Sequence, residues 1–199
     1  MIDPIPESGV ALHDRALENL RYIRRAMEGS GSFTAVPGRG GIGMGLVGLL
    51  AAWSASRRPD LAGWLGIWLG AAAVAAALGI LASRRKARRA TAPAVAGPAR
   101  KFALAFAPAI VAGAVLTGAL LAAERRDLLP GTWLLLYGTA VVSAGSMSVR
   151  TVPVLGVSFM ALGVVALLGP ADWGDALLAA GFGGLNVGFG AFIAWRHGG

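Results

Sequence analysis

The chain contains no cysteine. Disulfides, iron–sulfur clusters, thiolate zinc sites and thiol catalysis are thereby excluded. Charge is scarce as well. Asp, Glu, Lys and Arg make up 14% of the 199 residues, against about 25% in a soluble domain. Only two histidines are present, His13 and His197, one near each end of the chain. A haem site or a His-based catalytic pair would need the two termini brought together. What is abundant is apolar: 56% hydrophobic residues, 30 glycines and a mean hydropathy of +0.66. This composition excludes a disordered chain and an ordinary cytosolic enzyme, and it points to a multi-pass membrane protein.

A spanning helix needs about 20 apolar residues. Six apolar segments lie near 40–56, 61–83, 102–123, 128–149, 152–169 and 174–195. The predicted fold is all-α: a polytopic membrane protein whose residues 40–199 form a bundle of six transmembrane helices. Residues 1–39 are predicted as a cytosolic arm carrying an amphipathic helix over residues 10–28. In that helix Leu12, Ala16, Leu20, Ile23 and Met27 recur at helical spacing and draw one apolar stripe, which Leu17 widens. Residues 29–40 read as a Gly/Ser/Pro-rich link. Residues 83–101 read as a basic loop with a flexible Pro/Ala/Gly middle.

The charges set an expected orientation. With the N-terminus in the cytoplasm, fourteen of the eighteen Lys and Arg fall on the cytoplasmic side, seven of them in the 83–101 loop. Arg57, Arg58, Arg125 and Arg126 fall outside. This bias predicts a bacterial-type inner membrane protein with both termini cytoplasmic. Trp53, Trp64, Trp133 and Trp173 then sit near outer span ends and Trp195 near an inner one, as an interfacial belt. The basic excess is thus assigned to topology and lipid contact, and no nucleic-acid partner is expected.

The chain also reads as three helical hairpins, each closed by a short outer turn that contains Asp: RRPD at 57–60, ERRD at 124–127 and PADWGD at 170–175. Aromatic pairs follow the first two turns, Trp64 with Trp68 and Trp133 with Tyr137. This pattern predicts parallel hairpin repeats, although any six-span chain with short outer turns shares much of it. The Asp residues themselves are read as solvated turn residues and helix N-caps.

No ionisable residue lies at mid-depth in any predicted span, which argues against a proton relay, a voltage sensor or an intramembrane metal site. The deep polar groups are Asn186, Thr117, Thr139 and Ser143. They are expected either to make helix–helix polar contacts or to line a solute pathway, the first being preferred for Asn186. Ser143 has the small neighbours of an intramembrane nucleophile, but no span supplies a His base. The glycine-rich start of the first span is read as close helix packing through Gly41 and Gly45. A second reading lets Arg39, Gly40 and Gly41 hold an anion, a lipid headgroup more readily than a nucleotide.

No motif carries a family resemblance. The expectation is a non-enzymatic membrane protein without cofactor or metal. It would act as an accessory, sensor or interaction subunit, docking a protein partner or a second copy through the stripe of helix 10–28. The rival expectation is a small transporter or binding component for a neutral or apolar solute or a lipid.

Overall fold

The computed structural model describes residues 17–20, 38–89, 96–146 and 151–197. The chain separates into two compact units, Met1–Ser32 and Phe33–Gly199. In the first unit residues 17–20 are helical, with Leu17 and Leu20 exposed. They lie within the expected helix 10–28. Leu12, Ala16, Ile23 and Met27 lie outside the described residues, as does most of the 29–40 link.

The second unit is helical, with no strand among its described residues. Its helices are α1 (Gly38–Ala55), α2 (Leu61–Arg89), α3 (Ala96–Ala122), α4 (Leu129–Gly145), α5 (Thr151–Leu168), α6 (Gly174–Leu178) and α7 (Asn186–His197). A π-helical segment, Ala179–Leu185, joins α6 to α7 in one continuous rod. Five helical stretches are long and apolar enough to cross a membrane: Leu61–Arg85, Arg100–Ala122, Arg126–Gly145, Thr151–Leu168 and Ala171–Trp195. The protein is a helical membrane protein on this evidence. Helix α1 falls short of the same standard, because Arg39 and six glycines dilute the hydropathy of its 18 residues.

The expected 83–101 loop is corrected. Helix α2 runs on to Arg89 and α3 begins at Ala96, so the basic residues at both edges of that stretch ride on helix extensions. Nothing in Arg84–Arg89 stops a helix: the stretch holds only Ala, Lys and Arg, all good helix formers.

Glycine sets the closest helix contacts. α4 and α5 run antiparallel, with Gly131 against Gly163, Gly138 against Gly156 and Gly145 against Val152. A Cβ built on Gly138 would lie 2.6 Å from the Gly156 carbonyl oxygen, closer than real Cβ contacts come. α1 lies antiparallel to the π segment and α7 in the same way. Gly38 meets Ala194, Gly41 meets Gly190, Gly45 meets Val187 and Gly48 meets Phe182. Without a hydrophobic drive inside lipid, such close backbone approach supplies the van der Waals contact that joins helices. The π segment serves both sides. Gly181 faces Leu134 and Phe159, whereas Gly183 faces Leu49 of α1.

The remaining helices flank this centre. α2 packs on α1 and α3 packs on α4, while α2 and α3 make at most glancing contact with each other. Only 6% of the α2 span and none of the α3 span is buried within the protein. The core between them holds Ala51, Ala52, Ala55, Trp68, Leu134, Phe159, Ala166 and Leu178.

Candidate functional site: a turn-face cavity above an aromatic core

The three short turns that connect α1 to α2, α3 to α4 and α5 to α6 meet around one cavity of about 410 Å³. The first turn and the start of α2 contribute Arg58, Pro59, Asp60, Leu61 and Trp64. The second contributes Arg126, Asp127 and Pro130, and the third Ala171, Asp172, Gly174 and Asp175.

Each turn is built by local chemistry. Arg57 closes the end of α1, donating to the Trp53 carbonyl oxygen (3.0 Å) while its guanidinium lies 3.7 Å above the Trp53 ring. Asp60 caps α2, its Oδ2 accepting the Gly63 N–H at 2.7 Å. Glu124 takes a left-handed backbone conformation (φ 56°) where α3 ends. Arg125 then grips Asp127 with two hydrogen bonds of 3.1 Å. That hydrogen bond, and the charge behind it, raise the Arg125 guanidinium above its ordinary pKa. The third turn ends in a short 3₁₀ helix, Ala171–Trp173, which leads into Asp175 in the first turn of α6.

Asp175 does not simply face water. Its Oδ1 accepts the indole N–H of Trp64 at 2.8 Å, across 111 residues of chain. The Trp64 ring stacks on Trp133, with centroids 5.3 Å apart and planes at 21°. Trp133 in turn donates to Thr117 Oγ1 (2.8 Å), which donates to the Gly113 carbonyl oxygen (2.7 Å). One polar and aromatic chain therefore ties α6, α2, α4 and α3 together beneath the cavity.

Below this tie the interior is filled by rings. Phe182 of the π segment packs against Trp68 (6.0 Å), Tyr137 (5.0 Å) and Phe159 (5.3 Å). The two aromatic pairs noted in the sequence thus meet: Trp64 stacks on Trp133, and Trp68 and Tyr137 both meet Phe182. Leu178, four residues before Phe182 on the same rod, is buried in this core. The indole nitrogen of Trp68 is buried without a hydrogen-bond partner.

The polar residues singled out as a pathway are not gathered. None of them lines the cavity. Asn186 is buried at 5% exposure, and its amide donates to the Phe182 carbonyl oxygen of its own rod at 3.0 Å. It stands at the end of the π segment, where the regular hydrogen-bond ladder is interrupted. Thr117 holds Trp133. Thr139 and Ser143 lie on an exposed face of α4, and Thr139 closes back on the Leu135 carbonyl oxygen at 2.9 Å. Such back-bonding is the usual fate of a hydroxyl inside a helix. At the start of α1, Arg39 is exposed and Gly40 and Gly41 are half-buried. Gly41 packs against Gly190 of α7.

The acids of the turns were legible as caps, and Asp60 is one. The joining of three turns around one cavity was not. Its only trace in the sequence is the Asp that each short turn carries. Among the described residues no group of three or more His, Asp or Glu is placed to hold a metal ion. No known protein family, no characterised protein and no solved structure matches the chain.

Proposed function

We propose that the protein is a non-enzymatic integral membrane subunit, with an accessory, sensor or interaction role, that docks a protein partner or a second copy through helix 10–28. In this reading the chain crosses a bacterial-type inner membrane six times, as three hairpins, with both termini cytoplasmic and the Asp-bearing turns outside. α1 is the sixth span. Its 18 residues extend roughly 27 Å at 1.5 Å per residue, close to the hydrocarbon thickness, and its glycine face is shielded by α7.

The observation that carries the reading is the filled interior. Rings of Trp68, Tyr137, Phe159 and Phe182 occupy the space where a pathway through the bundle would run. Asn186, Thr117, Thr139 and Ser143 are each engaged locally or turned outward. By contrast Leu20 is 61% exposed on the predicted docking stripe.

The test is affinity capture of the tagged protein from native membranes in mild detergent, beside a version lacking residues 1–30 and a Leu20→Glu variant. A stoichiometric partner, or a second copy, is expected with the full chain and should be lost from both variants. Equal recovery from all three, or none from any, overturns the docking role.

A second reading, a small transporter or binding component for a solute or lipid, is favoured by the turn-face cavity. The charged lining of that cavity fits a polar headgroup better than an apolar solute.

A further inference from the structure

We propose that the turn-face cavity binds a zwitterion with an anionic phosphate and a primary ammonium, the chemistry of an ethanolamine phospholipid headgroup. The proposal rests on the protein's being a membrane protein and not on the docking role of helix 10–28.

The cavity holds charges of both signs that do not neutralise one another. Arg58 and Arg126 share its wall with Asp60, Asp127, Asp172 and Asp175, yet neither arginine forms an ion pair with any described carboxylate. The described ion pair of this face, Arg125 with Asp127, uses an arginine that does not line the cavity. Two guanidiniums thus remain open to an anion, and their planar forks match a phosphate. The acids are distributed over three turns and do not converge as metal ligands do. That arrangement suits a larger cation, presented beside an anion. The Trp64 indole in the lining, fixed by Asp175 and Trp133, supplies an aromatic surface of the kind that attracts an ammonium.

Size and place agree. About 410 Å³ falls within the range of small-ligand sites. The cavity lies where α2, α4 and α6 begin, at the ends of membrane-spanning helices, which is the depth of lipid headgroups. The same chemistry also describes a free phosphorylated ethanolamine in solution.

Native mass spectrometry of the full-length protein in detergent, with thermal-shift titration, tests the proposal. The probes are dioleoyl phosphatidylethanolamine, dioleoyl phosphatidylglycerol, which lacks the ammonium, and free O-phosphoethanolamine. The ethanolamine lipid should bind at least about tenfold more tightly than the glycerol lipid. Arg58→Gln combined with Arg126→Gln should lower that affinity by about tenfold or more, and Asp172→Asn should abolish the preference between the two lipids. All three substituted positions are exposed, and unchanged melting without lipid confirms that the variants fold. Displacement of the lipid by O-phosphoethanolamine identifies a headgroup site open to the free zwitterion, and retention of the lipid identifies a lipid site. Equal binding of the two lipids, or variants indistinguishable from the wild type, overturns the proposal whatever the outcome of the partner capture.

Discussion

Trp64 is held in two ways, through its indole N–H on Asp175 and its ring on Trp133. Trp64→Phe keeps an aromatic ring and removes the donor. The loss should be about 1.5–3 kcal/mol, the range for a hydrogen bond to a charged group. It should appear as a lower melting temperature in detergent. Asp175→Asn, with Trp64 intact, retains an acceptor and should keep most of the wild-type stability. A Trp64→Phe protein that melts with the wild type would show that the bond contributes nothing. At this scale the sequence displayed both residues and hid their relation. Asp175 read as a turn acid and Trp64 as an interfacial aromatic, because no local rule pairs groups 111 residues apart. Asn186 was the reverse case. Its chemistry was conspicuous in an apolar span, but its amide turns to Phe182, four residues back in its own rod.

The helices differ most in how they use glycine. Gly138 sits on the Gly156 carbonyl, and a backbone neighbour has no room to give. Gly118 on α3 has open space around it. Gly138→Ala should therefore destabilise by about 1–3 kcal/mol, as overpacking does. Gly118→Ala should leave stability unchanged or raise it, by up to about 1 kcal/mol from helix propensity. Melting curves of the two variants decide this, and equal effects would show that the α4–α5 contact is looser than described. Sequence hydropathy placed the helices of the second unit, except that α2 and α3 each run on about six residues past the expected span ends. It missed the extension of α2 to Arg89, since basic residues are strong helix formers outside a membrane as well. It also missed the π segment, whose Gly181 and Gly183 pack against opposite neighbours.

For the whole molecule, the charge bias makes a topological prediction. A reporter inserted between Arg89 and Ala96 should report a cytoplasmic location, and one inserted after Arg125 an external one. An external signal from the first insertion would reverse the assigned orientation. It would also turn the Asp-bearing cavity toward the cytoplasm. The weakly covered faces of α2 and α3, with Leu69, Val74, Val111 and Val115 exposed, suit lipid contact in either orientation.

The sequence by itself determined that this is a helical membrane protein, where its apolar helical segments lie and which short turns carry acid. Each of these follows from local hydropathy, helix periodicity and capping, which a chain expresses residue by residue. The tertiary structure alone decided which glycine faces meet, that Trp68 and Tyr137 of separate hairpins converge on Phe182, and that three turns surround one open cavity of mixed charge. Glycine and apolar side chains are nearly interchangeable in sequence pattern. In lipid, helices choose their neighbours by shape and close approach, and those are properties of the assembled bundle.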